Sequence, residues 1–190
     1  KKKCFVICPI GDSKSEPREW SDAVFNYIIK PVAGNQFNYN VFRSHEIPKP
    51  GSITRQIVDD LIQSDLVIAD LTFYNPNVFY ELAIRHAARK PCIQITRFDY
   101  EPPFDTKPLR TIRFDLNIVN ATRAIEELKE QIKTIDQGNF ESDNPIGDAI
   151  DLMKYESSGK IKQFQIATLI KNVEAIQSKI DNLSNEVYSR

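Results

Sequence analysis

Residues 64–83 have the sequence SDLVIADLTFYNPNVFYELA, and this stretch decides the fold class. Its apolar run, residues 66–69, ends at the carboxylate of Asp70 and predicts a strand covered on both faces. Asn75-Pro76 then signals a helix start, because Asn caps helices well and Pro suits the first helical position. Glu81 lies in the second turn of that helix. Since ligands of open α/β sheets bind beyond the carboxyl ends of strands, both acids are placed where such folds keep their sites.

The rest of the chain alternates between strand-like and helix-like patterns. Strands are predicted over residues 4–8, 39–43, 66–69, 91–96 and 109–114. Helices are predicted over residues 17–30, from a cap at Ser52, over residues 76–89, and from a cap at Asn120 to about residue 135. This alternation favours a parallel sheet with helices on both faces. Right-handed crossovers then predict an α/β fold with a doubly wound, flavodoxin-like sheet of about five strands.

Composition argues against several classes of function. A net charge of −1 over 190 residues does not support broad nucleic-acid binding. No apolar run approaches the roughly 18 residues that span a bilayer, and the one after residues 1–3 does not fit a signal peptide. Three cysteines without metal-like spacing favour a reducing compartment and core packing over reactive thiols. We therefore expect a cytoplasmic protein with neither a membrane nor a nucleic-acid partner.

The last 30 residues have a heptad spacing. Their apolar residues are separated alternately by three and four positions: Ile166, Leu169, Val173, Ile176, Ile180, Leu183 and Val187. β-Branched residues at one seam position and mostly Leu at the other favour a parallel two-stranded coiled coil, and hence a homo-oligomer. The alternative is a helix that packs this stripe on its own domain. The predicted division is an α/β domain over 1–136, a linker over 137–159 with a short helix after Pro145, and an oligomerisation helix over 160–190.

Three loops at predicted strand ends could contribute to a site. In the loop Ile10-Gly11-Asp12, Gly11 would let the backbone approach a ribose or phosphate, although an ordinary turn explains it equally well. His45 could form a polar wall or be an exposed loop histidine. The proline-rich segment 97–108 could cover the site as a lid or be a plain surface loop.

The helix after residue 75 carries the polar residues with the clearest chemical potential. Asn77, Glu81 and Arg85 are spaced four apart and share one stripe. In the functional interpretation Glu81 is a nucleophile or charge stabiliser, and Asp70 holds a sugar hydroxyl or transfers a proton. In the alternative, Glu81 and Arg85 form a surface ion pair of little energetic value. His86 falls on a different face, which favours packing or capping, and no recognised metal spacing, P-loop or serine elbow is present, so we expect no metal and no cofactor.

The same residues resemble a known enzyme family. DLVIADLT (65–72), NPNVFYELA (75–83) and RKP (89–91) look like the nucleoside 2-deoxyribosyltransferase-like superfamily, which is related in fold to TIR domains that cleave NAD. CFVICPIGD (4–12) is similar to the family's first strand and glycine loop, and the likeness spans roughly residues 4–135. It implies that Glu81 attacks an anomeric carbon with help from Asp70. Substrate contacts would come from Ile10, Gly11, Asp12, His45 and Asn77.

This resemblance leads to an expected function with two alternatives. The expectation is cleavage of an N-glycosidic bond in a nucleoside, a nucleotide or NAD. The amide-rich C-terminal segment of the family's transferases is missing, which favours hydrolysis over transfer. By analogy, the heptad tail suggests an effector of bacterial defence that is regulated by assembly. The alternatives are a non-catalytic nucleotide-sensing or protein-interaction module with the same pocket, and an assembly protein whose pocket is vestigial.

Overall fold

A computed structural model describes residues 1–43, 53–102, 110–140 and 144–157 of the chain. Its strands are β1 (Lys3–Ile7), β2 (Asn40–Arg43), β3 (Leu66–Asp70), β4 (Cys92–Arg97) and β5 (Thr111–Phe114). All of their pairings are parallel, in the order β2-β1-β3-β4-β5. With helices on both faces, this confirms the doubly wound, flavodoxin-like α/β fold that the alternation predicted.

The helices are α1 (Glu16–Val24), α2 (Ile53–Gln63), α3 (Pro76–Ala87), α4 (Ile118–Asp136) and α5 (Pro145–Ser157). Alternate strand residues enter two different cores, because successive side chains of a strand point to opposite faces. Leu66 and Ile68 pack with α1 and α4, whereas Val67 and Ala69 pack with α2 and α3. We call these the α1 face and the α3 face of the sheet.

The helix predicted over residues 17–30 is longer than expected and changes its winding. After α1, residues Phe25–Gln36 continue as a π-helix with Pro31 inside. Proline lacks an N–H and interrupts the ordinary ladder of an α-helix, so the prediction ended before it. The segment persists because its apolar residues are buried in the core of the α1 face: Phe25, Ile28, Ile29, Val32 and Ala33.

The predicted cap of the last helix of the sheet domain is wrong by three residues. Asn117 is the N-cap of α4, where its Oδ1 accepts a hydrogen bond of 3.0 Å from the Val119 amide. The Asn120 side chain instead donates to Asp115 Oδ1 at 3.0 Å. Both asparagines are good caps, and the choice between them depends on where β5 ends.

The sheet and helices α1–α4 belong to one compact unit, Lys1–Gly147. A second unit begins at Asp148, and the structure describes it as far as the end of α5, the helix predicted after Pro145. The predicted borders of the linker and tail remain predictions. The heptad segment 166–187, His45, Ser52 and residues 103–108 of the proline-rich loop lie outside the described residues. Across the described ranges, we find no helix with the length and apolarity needed to cross a membrane.

Candidate functional site at the carboxyl edge of the sheet

The strand order places a topological switch point at β1, which has β2 on one side and β3 on the other. Ile7 pairs with Ala69 in the register of β1 and β3, so both strands end at the same level and Asp70 lies just beyond. Asn75 then caps α3, accepting a 2.9 Å hydrogen bond from the Asn77 amide, which confirms the predicted helix start. The loops after β1 and β3 therefore border the crevice where doubly wound folds bind ligands.

Asp70 is buried on the α1 face, with only 1% of its surface exposed. Its Oδ2 accepts a 2.9 Å hydrogen bond from Trp20 Nε1, and its Oδ1 accepts bonds of 3.0 and 2.5 Å from the amide and hydroxyl of Thr72. Burial raises the pKa of the Asp70 carboxyl, and these bonds oppose that rise. The side chain thus fixes the loop after β3 to α1 and has almost no surface left to touch a substrate.

The loop held by Asp70 has an unusual backbone. Phe73 and Tyr74 adopt left-handed conformations, with φ of +65° and +50°. Such conformations cost a non-glycine residue on the order of 1–2 kcal/mol and persist where surrounding contacts impose them. Here the contacts come from the segment after β4: the Tyr74 hydroxyl donates to the Glu101 carbonyl at 3.0 Å, and the Tyr100 ring packs on both aromatic side chains.

Arg97, at the end of β4, joins this loop to α1. Its amide donates to Thr72 Oγ1 at 3.0 Å, and its guanidinium lies over the ring of Trp20 at 5.3 Å. Ion pairs to Asp99 and Glu16, at 2.7 and 2.8 Å, raise the pKa of the Arg97 guanidinium. The described part of the proline-rich segment, residues 97–102, therefore packs on the loop that Asp70 anchors. Whether it moves as a lid stays a prediction.

Glu81 lies on the other side of the sheet from Asp70. Its neighbours Val78 and Leu82 enter the core of the α3 face, and Glu81 itself is half-buried beside them. Among the described residues no hydrogen-bond donor or cation contacts its carboxyl, so burial alone raises the pKa of Glu81 to about 7. A carboxyl that titrates there can both accept and donate a proton near neutral pH.

Arg85 does not pair with Glu81, so the predicted surface ion pair is wrong. Its side chain is fully buried, and its five N–H groups donate to four backbone carbonyls at 2.6–3.3 Å: those of Leu61, Ser64, Asp65 and Pro91. The Leu61 carbonyl belongs to the last turn of α2 and Ser64 directly follows that helix, at the end where the helix dipole favours a cation. Burial lowers the pKa of Arg85 to about 10. The missed signal was its spacing of three from Leu82 and seven from Val78, which places it on the apolar face.

The remaining predicted residues are distributed over the loop after β1 and over α3. A Cβ at Gly11 would collide with Ser15 Oγ, which accepts a 3.4 Å bond from the Arg18 amide and caps α1, so the glycine serves a close approach within the turn. Ile10 and Asn77 are exposed. Asp12 is exposed too. His86 is buried, in agreement with the packing interpretation.

The pKa of Glu81 gives a prediction for stability. Between its ordinary pKa of 4.5 and its folded pKa of about 7, only the folded state keeps the proton, so wild-type stability should fall as pH rises through this range. Gln carries no charge at any pH. We expect Glu81→Gln to melt roughly 2–4 °C above wild type at pH 8, after allowance for solvent screening, and level with it at pH 4.5. Melting followed by circular dichroism, with Glu130→Gln on the exposed face of α4 as control, tests this; an equal offset at both pH values would contradict it.

Taken together, the structure brings Ile10, Gly11, Asp12 and Asp70 to the carboxyl edge at the switch point and places Glu81 on the helix that starts there. Within the described residues no group of three or more His, Cys, Asp or Glu side chains is arranged to hold a metal ion. Of these residues, Glu81 is the one whose carboxyl has a pKa raised by burial to about 7. No family model and no curated protein sequence matches this chain.

Proposed function

We propose that this protein cleaves the N-glycosidic bond of a nucleoside, a nucleotide or NAD, with Glu81 as the reacting carboxylate. The observation that carries the proposal is the state of Glu81: half-buried, without a charged partner among the described residues, and with a pKa raised to about 7. A carboxyl with such a shift is a candidate for catalysis, because a structural carboxylate is normally paired. The sequence resemblance supplies the substrate class.

The proposed reaction requires few catalytic groups other than one carboxylate. The bond between the anomeric carbon and the base nitrogen breaks, and the base departs with the electron pair. The sugar then carries positive charge, which the Glu81 carboxylate stabilises or captures as a covalent bond. Water then adds to the anomeric carbon and, where the sugar is bonded to Glu81, displaces the carboxylate. The proton that this water loses goes to the departing base of a nucleoside or nucleotide, or to solvent when the neutral nicotinamide of NAD departs, which gives the free sugar and the free base. Hydrolysis is preferred over transfer to a second base, because the transferases' amide-rich segment was not found in the sequence.

In this proposal Asp70 positions the loop after β3 and does not contact the substrate. Its three hydrogen bonds hold Trp20 and Thr72, and the loop they fix leads directly to the Asn75 cap of α3. Asp70 would thereby set where α3 begins, and Glu81 lies in the second turn of that helix. This replaces the proton-transfer role that the sequence suggested.

The test is release of free base. The protein is incubated with NAD, nucleosides and deoxynucleotides, and released bases are separated by chromatography. Since the reacting form is the ionised carboxylate, we expect the rate to rise with pH around a midpoint near 7 and to level off above it. Absence of any released base, from protein shown to be folded and assembled, would overturn the proposal.

One observation favours the second candidate, a nucleotide-sensing module without catalysis. Many glycosidases use two carboxyl groups, and here the second one, Asp70, is buried and fully hydrogen-bonded on the opposite face of the sheet. A module of this kind binds nucleotide, as measured by calorimetry, and releases no base.

A further inference from the structure

The segment before α5 is tied to the far end of α3 by one side chain. Asn144 is buried, with 5% of its surface exposed. Its Oδ1 accepts a 2.8 Å hydrogen bond from the Gly147 amide and so caps α5, while its Nδ2 donates to the His86 carbonyl at 3.4 Å. One amide group therefore links the start of α5 to the last turn of α3.

A second contact at the same place is close because residue 147 is a glycine. Arg89 follows α3 in a left-handed conformation, with φ of +51°, at a position where helices usually have Gly. A Cβ at Gly147 would lie 3.0 Å from both Nε and Cζ of Arg89, so the guanidinium rests directly on the glycine backbone. The Arg89 side chain therefore packs against the first turn of α5.

The two contacts hold the helix that carries Glu81. His86 is five residues after Glu81, about one and a half turns along α3. The cap at Asn75 fixes the first turn of α3 and Arg85 anchors its side facing α2. Asn144 contacts the last turn of α3 from the chain that follows α4. Helix ends fray when such contacts are lost, and fraying of this one would admit water beside the half-buried carboxyl.

We propose that Asn144 is a positioning residue for Glu81: its bond to the His86 carbonyl holds the last turn of α3 in place and so keeps water away from the reacting carboxyl. The inference rests on the proposed function for its biological meaning, because Glu81 is the reacting group there.

Replacing Asn144 by Ser separates its cap on α5 from its bond to the His86 carbonyl without adding a charge. Ser still caps a helix but is too short to reach the His86 carbonyl. The matched control is Asn117→Ser, which changes the N-cap of α4, a helix on the opposite face of the sheet. The full chain is labelled with carbon-13 at the glutamate carboxyls, the Glu81 signal is assigned with Glu81→Gln, and its pH titration is followed by NMR.

We expect the Glu81 midpoint in Asn144→Ser to fall by roughly half a pH unit or more toward its ordinary value, and to stay unchanged in Asn117→Ser. Gly147→Ala displaces the Arg89 side chain but keeps Asn144, and it should shift the Glu81 midpoint in the same direction. This second variant keeps the inference testable if Asn144→Ser does not fold. Midpoints equal to wild type, or equal shifts in the control, would overturn the inference and leave Asn144 with a structural role only.

This titration does not depend on catalysis, so the two proposals fail separately. If wild type releases no base, the proposed function fails while the NMR comparison still decides the role of Asn144. If base is released, the midpoint of its pH profile should move with the NMR midpoint in each variant. If the midpoint of the pH–rate profile stays unchanged while the NMR midpoint of the Glu81 carboxyl moves, the ionisation of Glu81 does not control the reaction.

Discussion

Glu81→Gln is expected to reduce base release by at least about a thousandfold, which is the scale of losses when a reacting group or its main electrostatic partner is removed. The amide is neutral and a poor nucleophile, so it can neither capture the anomeric carbon nor stabilise its positive charge. Its size is nearly that of the carboxyl, so α3 and the cap at Asn75 should keep their geometry. The rate is measured by chromatography at pH 8, where wild-type Glu81 is ionised.

Binding measured on the same samples separates the two candidate functions. A hydrolase should bind its nucleotide in the Gln variant with similar affinity while cleaving it far more slowly. The control is Glu130→Gln, an exposed residue of α4 whose replacement should leave the rate unchanged. Equal rates of base release by Glu81→Gln and wild type would show that the reaction does not require Glu81.

Arg85→Met should lower the free energy of unfolding by about 3–5 kcal/mol, the largest stability effect that we expect from one substitution in this chain. Methionine fills part of the same volume but donates no hydrogen bond. Four buried carbonyls, those of Leu61, Ser64, Asp65 and Pro91, would lose the donors that satisfy them. Denaturation in urea followed by circular dichroism measures the change.

Arg123→Met is the matched control, because Arg123 is 58% exposed and makes a loose ion pair of 3.8 Å with Glu127. We expect it to change stability by less than about 1 kcal/mol. Arg85→Lys should also be destabilising, since an ammonium has three donors where five are used. A loss in Arg85→Met no larger than in Arg123→Met would show that water satisfies these carbonyls.

The fold could be predicted from local sequence patterns, because each of these patterns depends on residues only a few positions apart. The apolar run before Asp70, the Asn75-Pro76 start of α3 and the alternation of elements all act over a few residues, and the structure confirms them. The errors lie where the outcome depends on distant contacts. The π-helix after Val24 survives Pro31 because its apolar residues are buried, and Asn117 caps α4 because β5 ends three residues before it.

The positions of Asp70 at the end of β3 and of Glu81 in α3 were predictable, but the residues that contact them were not. Spacing put Glu81 and Arg85 on one stripe, yet a stripe does not show which side chain turns into the core and which faces away from it. Arg85 is buried because carbonyls from the last turn of α2, from the turn between α2 and β3 and from the residue before β4 converge on it, and these are 6 to 24 residues away in sequence. Asp70 likewise accepts a hydrogen bond from Trp20, which lies fifty positions earlier in the sequence.

The hydrogen bond between Trp20 and Asp70 also has a spectroscopic consequence. Trp20 is the only tryptophan in the chain, so all of its indole fluorescence originates at the carboxyl edge of the sheet. The ring donates to a carboxyl, stacks on Phe114 and lies under the Arg97 guanidinium. Emission from a ring in such surroundings depends on the nearby charges and on access of water. The protein therefore carries its own optical probe for rearrangements of the loops after β3 and β4, with no added label.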